Sequence, residues 1–294
     1  MSTETAYSPR RVSRARFTEI RGLRCCVREW GEPGAPKVFL LHGSLDASAT
    51  FQFMVDQFKG QWHFIAPDWR GHGQSEWAPG GYWFYDYLAD LDHFLARTIP
   101  DEKAVLVAHS LGGNVANFYA GARPERVGKL VSLDGFGLPA PDPVGTPARL
   151  GKWLDAQKEP EPSRAYASVE ALADRLKQAH PRLPMDKALF LAANTSRKTE
   201  KGEVMVAFDP KHRAPFAIVN RREDVVAVLR QIRAPTLWLS SDRPSRYAAE
   251  PGGWEGRMAM IADLRYAKIP GTSHNMHHDD PATVARMIEG FLNE

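Results

Sequence analysis

The feature that most constrains the fold of this chain is an apolar run that passes through one serine into a helical pattern. Residues 104–108 are apolar without interruption, and residues 114–122 have the composition and spacing of a helix. Between them lies the turn His109-Ser110-Leu111-Gly112-Gly113. A short, uninterrupted apolar run predicts a strand that is buried on both faces of a sheet. A strand followed at once by a helix is the unit from which parallel α/β sheets are built.

The small residues around Ser110 indicate a tight turn with a strained backbone. Ala108, Gly112 and Gly113 allow the strand and the helix to approach closely while the serine adopts an unfavourable backbone angle. In the motif G-x-S-x-G, a serine at such a turn is a nucleophile. Here Ala108 replaces the first glycine, a difference of one methyl group. The alternative is an ordinary turn in which the serine only caps the helix, and the motif alone leaves both interpretations open.

Composition excludes several classes of function. With 43% hydrophobic and 25% charged residues the chain is typical of a globular protein, and a net charge of +3 does not indicate a nucleic-acid partner. The chain has no apolar run of about 18 residues for a transmembrane helix, and its start lacks the apolar stretch of a secretory signal. We therefore expect a cytoplasmic protein with no nucleic-acid or membrane partner. Formation of a homodimer stays open.

Cofactor and metal chemistry have no clear signature in the sequence. Cys25 and Cys26 are adjacent in an apolar run, which disfavours a disulfide between them and predicts buried free thiols in a reducing compartment. Neither a phosphate-binding loop nor a dinucleotide-binding glycine motif is present. The histidines near position 274 lack a matching set of Cys, Asp or Glu in the sequence. We therefore expect no cofactor and no metal.

The order of strand-like and helical runs predicts the domain organisation. Residues 1–15 are polar and predict a disordered tail. An antiparallel hairpin follows, and then strands alternate with helices, which predicts a mostly parallel twisted α/β sheet with helices on both faces. Residues 16–137 and 220–294 are assigned to this core. Residues 138–219 contain clustered prolines and helical patterns instead of buried strands, so we assign them to an inserted helical cap.

Four motifs occur along the chain in a characteristic order. They are Leu41-His-Gly-Ser44, Asp68-Trp-Arg-Gly-His-Gly-Gln-Ser75, the turn around Ser110, and Gly271-Thr-Ser-His274 with Pro281 downstream. Together they resemble the α/β-hydrolase superfamily, and within it capped serine esterase-like members and serine-hydrolase-like proteins. The resemblance runs from about residue 17 to the C-terminus, and it implies the α/β-hydrolase fold.

The resemblance also implies roles for individual residues. Ser110 corresponds to the nucleophile, where haloalkane dehalogenases and epoxide hydrolases have an aspartate, so the chemistry of those two groups is excluded. A serine needs a base, and His274 is in the position of that base, with an imidazole able to titrate near neutral pH. The neighbouring His277 and His278 match the motif less well. The backbone N–H groups of Leu111 and Ser44 correspond to the oxyanion hole.

The acid that orients the histidine has two candidates. Asp242 follows a strand predicted at residues 235–239, the commonest location in the family, but it comes about two residues early and lacks the usual G-x-x-D pattern. Asp134 ends the strand predicted at residues 126–133, where some capped relatives have their acid. A carboxylate in this role holds the imidazole in the correct tautomer. We favour Asp134 and retain Asp242 as the alternative.

These assignments predict a hydrolase with a Ser-His-Asp triad that cleaves a carboxylic ester of a small molecule through an acyl-enzyme intermediate. A hydrolase of carbon–carbon bonds or a lactonase could use the same triad. A non-catalytic ligand-binding member of the fold is the alternative from another class. Trp153, Tyr166 and Phe190 are candidates for lining the pocket, but we favour packing between the cap helices for each of them.

Overall fold

Eight of the described strands form one sheet at the centre of the molecule. The structure, a computed structural model, describes residues 7–138, 142–158, 162–242 and 255–294. Parts of the predicted tail, cap and core, namely residues 1–6, 139–141, 159–161 and 243–254, lie outside the described residues. The strands are β1 (Arg14–Ile20), β2 (Leu23–Trp30), β3 (Lys37–Leu41), β4 (His63–Pro67), β5 (Ala104–His109), β6 (Val127–Leu133), β7 (Ala165–Tyr166), β8 (Ser196–Lys198), β9 (Val204–Val206), β10 (Thr236–Ser240) and β11 (Leu264–Lys268). The helices are α1 (Gln52–Val55), α2 (Phe84–Thr98), α3 (Leu111–Ala122), α4 (Thr146–Lys158), α5 (Val169–Ala179), α6 (Met185–Asn194), α7 (Arg222–Leu229), α8 (Glu255–Met258), α9 (Met276–Asp279) and α10 (Pro281–Leu292).

The direction of the strands confirms the predicted fold class. The sheet order is β1-β2-β4-β3-β5-β6-β10-β11. Strands β1, β2 and β4 pair antiparallel, and every pair from β4 through β11 is parallel. Because parallel strands end at the same edge, the segments that follow β3, β5, β6, β10 and β11 meet there, which is where ligands bind in open α/β sheets.

Strand β5 is buried on both faces, as its apolar run predicts. Leu106 and Ala108 belong to a hydrophobic cluster that also contains residues of α2, α3 and α7. Val107 points to the opposite face, in a cluster with residues of α1 and α10. The alternation of side chains along the strand therefore joins two layers of helices to one sheet.

The segment between β6 and α7 contains more than helices. It has α4, α5 and α6, as the helical patterns predict, but also a three-stranded antiparallel sheet in the order β7-β9-β8. The prediction of a purely helical segment missed these strands, because each has only two or three residues and shows no periodicity. A separate hydrophobic cluster, with Leu172, Leu183 and Leu191, packs this segment onto Phe53 of the core.

The prediction of a disordered tail is wrong from residue 7 onward. The hydroxyl of Tyr7 donates to Asp56 at 2.9 Å, and the backbone N–H groups of Arg10 and Arg11 donate to the same carboxylate at 3.1 and 2.7 Å. Strand β1 already begins at Arg14. The buried Asp56 needs donors, and the polar residues of the tail supply them.

Two expectations from composition can be compared with the structure. Both cysteines are buried and free, as predicted, and burial raises the pKa of Cys25 to about 11 and that of Cys26 to about 12. Among the helices in the described part of the chain, none has the length and the apolar content needed to cross a bilayer.

Candidate active site

Ser110 occupies the strained turn that the sequence predicts. It lies between the end of β5 and the first residue of α3, with φ 50° and ψ −112°. Its N–H donates to the carbonyl of Leu133 at 2.9 Å, which ties the turn to the end of β6. A Cβ on Gly112 would collide with the carbonyl oxygen of Leu41, and one on Gly113 would lie 2.7 Å from Ser132 Oγ. Both glycines are therefore required for the close packing of helix and sheet.

His274 lies between Ser110 and Asp134. It follows β11, in the turn that precedes α9. Its Nε2 lies 2.8 Å from Ser110 Oγ, and its Nδ1 lies 3.2 Å from Asp134 Oδ2. With the Nδ1–H donated to the carboxylate, Nε2 is free to accept the hydroxyl proton of the serine. The structure thus brings together the three residues that the sequence favours, in a geometry suited to proton transfer from the serine.

Asp134 is held in place by the loop that follows β10. Its backbone N–H donates to Leu239 O at 3.0 Å, and its φ of 48° turns the side chain toward His274. Ser241 donates to it twice, from the backbone N–H to Oδ1 at 3.0 Å and from the hydroxyl to Oδ2 at 2.6 Å. Sequence reasoning missed Ser241. The one sequence feature that could have indicated Ser241 is its position directly after a strand, at the edge of the sheet where Ser110, Asp134 and His274 lie.

Asp242, the alternative acid, is not brought to the histidine. Its side chain is 43% exposed, whereas that of Asp134 is 12% exposed. Asp242 forms an ion pair with Lys268 at 2.9 Å and accepts a hydrogen bond from Gly271 N. These two interactions lower the pKa of Asp242. Lys268 ends the edge strand β11 and Gly271 follows it, so the carboxylate of Asp242 is held at this edge strand and not at Ser110.

The two residues predicted for the oxyanion hole border the same cavity as Ser110. Gly43 packs closely against the turn, since a Cβ there would lie 3.2 Å from Ser110 Cβ. The N–H of Leu45 is occupied by His72 Nε2 at 3.2 Å. Among the described residues, the N–H groups of Ser44 and Leu111 have no hydrogen-bond partner. Both are therefore available to an oxygen atom placed above Ser110.

Two buried neutral histidines support the loop that contains Ser44. His42 accepts from Trp69 N at 2.9 Å, and its other ring nitrogen lies 2.8 Å from Gly43 O. His72 lies between Leu45 N and the carbonyl of Arg70. Burial lowers the pKa of both His42 and His72 to about 3. Both rings are therefore neutral near pH 7, with one nitrogen donating and the other accepting.

Two cavities meet at Ser110 and Ser44. The first cavity, of about 310 Å³, also contains His274 at its wall, and the segment between β6 and α7 supplies apolar side chains that include Leu176, Leu183, Leu191, Val206 and Phe208. The second cavity, of about 300 Å³, is lined by Leu111, Lys211 and several aromatic residues, namely Tyr82, Trp83, Trp153 and Phe216.

The interpretation of Trp153 as a packing residue is therefore wrong, because its ring lines the second cavity. Phe190 and Tyr166 do pack, since both belong to the hydrophobic cluster of the same segment. The three aromatic residues could not be distinguished from sequence. All lie in the segment between β6 and α7, and the side of each element that meets the core depends on how the elements are placed.

A set of potential metal ligands lies beside Ser110 and His274. Asp46, His109 and His277 place one potential metal-ligand atom each within 4.8 Å of the others. The expectation that the histidines near position 274 lack a matching carboxylate is therefore wrong. The three residues lie far apart in the sequence, on the loop after β3, at the end of β5 and in α9, so no spacing motif indicates them.

Comparisons with known proteins agree with the fold and the order of motifs. A family model described as "Alpha/beta hydrolase family" matches residues 38–287. The chain is 28% identical to a serine hydrolase-like protein of Danio rerio, over 93% of this chain and 85% of that protein. It is 26% identical to a 2-(acetamidomethylene)succinate hydrolase of Mesorhizobium japonicum, over 95% of each chain. Among solved structures, the thioesterase domain from the curacin biosynthetic pathway matches with a TM-score of 0.81 and 25% identity, covering 94% of this chain and 99% of that one.

Proposed function

Because the chain belongs to the alpha/beta hydrolase family, we propose that it is a serine hydrolase that cleaves a carboxylic ester of a small molecule through an acyl-enzyme intermediate. The observation that supports this most directly is the position of His274 between the other two residues. Its Nε2 lies 2.8 Å from Ser110 Oγ, and its Nδ1 lies 3.2 Å from Asp134 Oδ2. Ser110 is the nucleophile, His274 the general base and acid, and Asp134 the residue that orients the imidazole.

The reaction follows from the positions of these atoms. Ser110 Oγ attacks the ester carbonyl while His274 Nε2 takes its proton. The N–H groups of Ser44 and Leu111 stabilise the negative charge on the carbonyl oxygen. His274 then returns the proton to the leaving alcohol, and an acyl group stays on Ser110. Water, activated by the same imidazole, attacks this acyl-enzyme and releases the acid, so that no cofactor is consumed.

The two cavities support a division of the substrate at Ser110. His274 lines the first cavity but not the second, and the leaving oxygen must receive its proton from His274. The alcohol part of the ester therefore lies in the first cavity, among Leu183 and its apolar neighbours. The acyl part lies in the second cavity, beside Trp153. In this arrangement residues 138–219 act as a cap that selects both the alcohol part and the acyl part of the substrate.

The relative from Mesorhizobium is named for a substrate with two carboxylates, and the described cavities are poorly suited to such a molecule. Lys211 is the single lysine or arginine among the residues that line the two cavities in the described part of the chain. Two carboxylates that leave water for these cavities need more positive partners than one ammonium group. We therefore favour an ester with an uncharged or singly charged acyl group.

The decisive experiment is labelling with a fluorophosphonate, which reacts with an activated serine. The wild-type protein should be labelled at Ser110, as located by peptide mass spectrometry, and Ser110→Ala should not be labelled. Ser13→Ala, a change beside the edge strand β1, is the matched control and should be labelled like the wild type. Absence of labelling in the folded wild-type protein would favour a non-catalytic, ligand-binding member of the fold.

Substrate class is tested with a panel of nitrophenyl esters of increasing acyl length, measured beside a lactone and a dienoic diketo acid. Faster turnover of the diketo acid than of any ester would favour the hydrolysis of carbon–carbon bonds. In the ester series, Trp153→Ala should change the preference for acyl length, because the indole borders the proposed acyl cavity. Leu183→Ala should instead change the preference among alcohols with one common acyl group.

A further inference from the structure

Asp46, His109 and His277 form a cluster that the proposed hydrolysis does not use. His109 and His277 are 3% and 0% exposed, and Asp46 is half-buried on the loop after β3. The rings of the two histidines are 4.5 Å apart between centroids, and the three potential ligand atoms all lie within 4.8 Å of one another. The cluster is thus compact and mostly shielded from bulk water.

Of the four imidazole nitrogens in this cluster, three have no partner among the described residues. His109 Nε2 lies 2.8 Å from the carbonyl oxygen of His274, and since a carbonyl can only accept, this nitrogen carries the hydrogen. The Nδ1 of a neutral His109 ring is then a lone-pair acceptor. Within the described residues, that Nδ1 and both ring nitrogens of His277 are buried without a hydrogen-bond partner. Buried polar atoms of this kind normally have a partner in the protein, in water or in an ion.

A cation is the partner that suits these atoms. An unprotonated imidazole nitrogen and a carboxylate oxygen are both electron-pair donors, and His277 can present a third lone pair with either nitrogen. Two imidazoles and one carboxylate form a ligand set that zinc uses in enzymes, with one coordination position left for water. The first cavity is bordered by both Asp46 and His109, so an ion and its water can reach the site from there.

We propose that Asp46, His109 and His277 form a binding site for a divalent zinc ion beside the catalytic histidine. Zinc–ligand distances of about 2.0–2.2 Å place the ligand atoms of one ion closer to one another than the 4.8 Å limit within which the three atoms now lie. Asp46 is the ligand best able to move, because it lies on a loop at the cavity wall, whereas the two histidines are packed in the interior.

Zinc at this site inhibits hydrolysis, a consequence that rests on the proposed function. His109 bonds directly to the backbone of His274, and the centroids of the two rings are 4.8 Å apart. His274 must become positively charged when it takes the proton of Ser110. A divalent cation held by the neighbouring ring disfavours that charge, so the bound ion slows acylation.

The binding test does not depend on activity. Protein stripped with EDTA and dialysed is titrated with zinc chloride in an isothermal calorimeter, and one site per chain is expected. Asp46→Asn and His277→Gln should each weaken this binding by more than about 100-fold, because the loss of a ligand should exceed the 10–100-fold cost of losing an outer-shell partner. His180→Gln, which changes another histidine of the first cavity, is the matched control and should bind like the wild type.

His274→Ala separates this site from the triad. The proposal requires that zinc binding persist in this variant, whereas zinc held by the catalytic histidine would be lost. Should His277→Gln fail to fold, as judged by circular dichroism, Asp46→Asn alone decides. The proposal is overturned by absence of binding, by binding that survives Asp46→Asn, or by binding that disappears in His274→Ala.

A second measurement tests the inhibition. If the wild type hydrolyses esters, zinc should inhibit it at the concentrations that saturate the calorimetric site, and Asp46→Asn should be resistant. Zinc binding with no inhibition overturns the inhibitory role. Absence of ester hydrolysis in the metal-free protein instead counts against the proposed function, and the calorimetric result then still decides whether the zinc site exists.

Discussion

The hydroxyl of Ser241 donates to Asp134 Oδ2 at 2.6 Å, on the same oxygen atom that faces His274 Nδ1. The loop after β10, where the family usually has its acid, therefore contributes a residue that holds Asp134, the proposed acid. Asp134 itself follows the last residue of the neighbouring strand β6. Two adjacent strands thus cooperate to position one carboxylate.

Removal of the Ser241 hydroxyl should weaken catalysis without abolishing it. We expect Ser241→Ala to lower kcat for an ester on the order of tenfold, because Asp134 keeps its backbone donor but loses a short side-chain hydrogen bond. Ser241→Thr retains a hydroxyl and should recover most of the loss. Steady-state kinetics on one nitrophenyl ester measures both. An equal loss in the two variants would show that the serine acts by packing rather than by hydrogen bonding.

The two candidate acids should respond differently to the same substitution. Asp134→Asn should lower kcat by about 10⁴-fold, because the amide favours the wrong tautomer of His274. Asp242→Asn should have a much smaller effect, since its carboxylate pairs with Lys268. Both variants keep the shape of the side chain, so their melting temperatures serve as the control. A larger loss for Asp242→Asn would assign the acid to the loop after β10.

The nucleophile and its base should behave as one unit. Ser110→Ala and His274→Ala should each lower kcat by about 10³-fold or more, and the double variant should lose little beyond either single one. His277→Ala tests the neighbouring histidine in metal-free protein and should cost far less activity. Additive losses for Ser110→Ala and His274→Ala would contradict proton transfer between the two residues.

Two glycine substitutions should have opposite effects on stability. Gly112→Ala should lower the free energy of unfolding by about 1–3 kcal/mol, because the added methyl group overlaps the carbonyl of Leu41 at the turn. It should also reduce activity, since it displaces Ser110. Gly290→Ala is the matched control in α10, where a Cβ meets open space, and should raise the free energy of unfolding by about 0.5–1 kcal/mol. Urea unfolding measures both changes, and a stabilised Gly112→Ala would disprove the close contact.

The buried histidines predict a loss of stability in acid. The pKa of His42 and of His72 falls from a usual value near 6.5 to about 3 in the folded protein. Between these values the unfolded chain binds protons that the folded chain does not, so the free energy of unfolding is highest above pH 6.5 and falls as the pH is lowered toward 3. At pH 5 each ring accounts for a loss on the order of 2 kcal/mol.

Urea unfolding at pH 7.5 and pH 5.0 measures this loss. His72→Gln should be less stable than the wild type at pH 7.5, because it disturbs the hydrogen bonds to Leu45 and Arg70. It should nevertheless lose less stability between the two pH values. A variant with the full pH dependence of the wild type would mean that His72 is not the titrating group.

The central strand, the turn at Ser110 and the following helix could be predicted from the sequence, because their determinants are local. A buried strand needs an apolar run, and a strained turn against a sheet needs glycine where a Cβ would collide. These requirements involve residues that are neighbours in the chain. His274 was predicted by a different route, from the resemblance of residues 271–274 to the histidine loop of the family, and the parallel sheet brings this loop to the same edge as Ser110.

The tertiary structure decided what depends on contacts between distant segments. The sequence already favours Asp134, because Asp242 comes early in its loop. The contacts of the two carboxylates, with Ser241 on Asp134 and Lys268 on Asp242, depend instead on the placement of two loops to within a hydrogen-bond length. Three other features also depend on contacts between distant segments. The N-terminal residues are held from Tyr7 onward, Trp153 faces the second cavity, and Asp46 lies beside two histidines. None has a periodicity or spacing that could be read from the sequence, because each arises only when separately folded elements pack against one another.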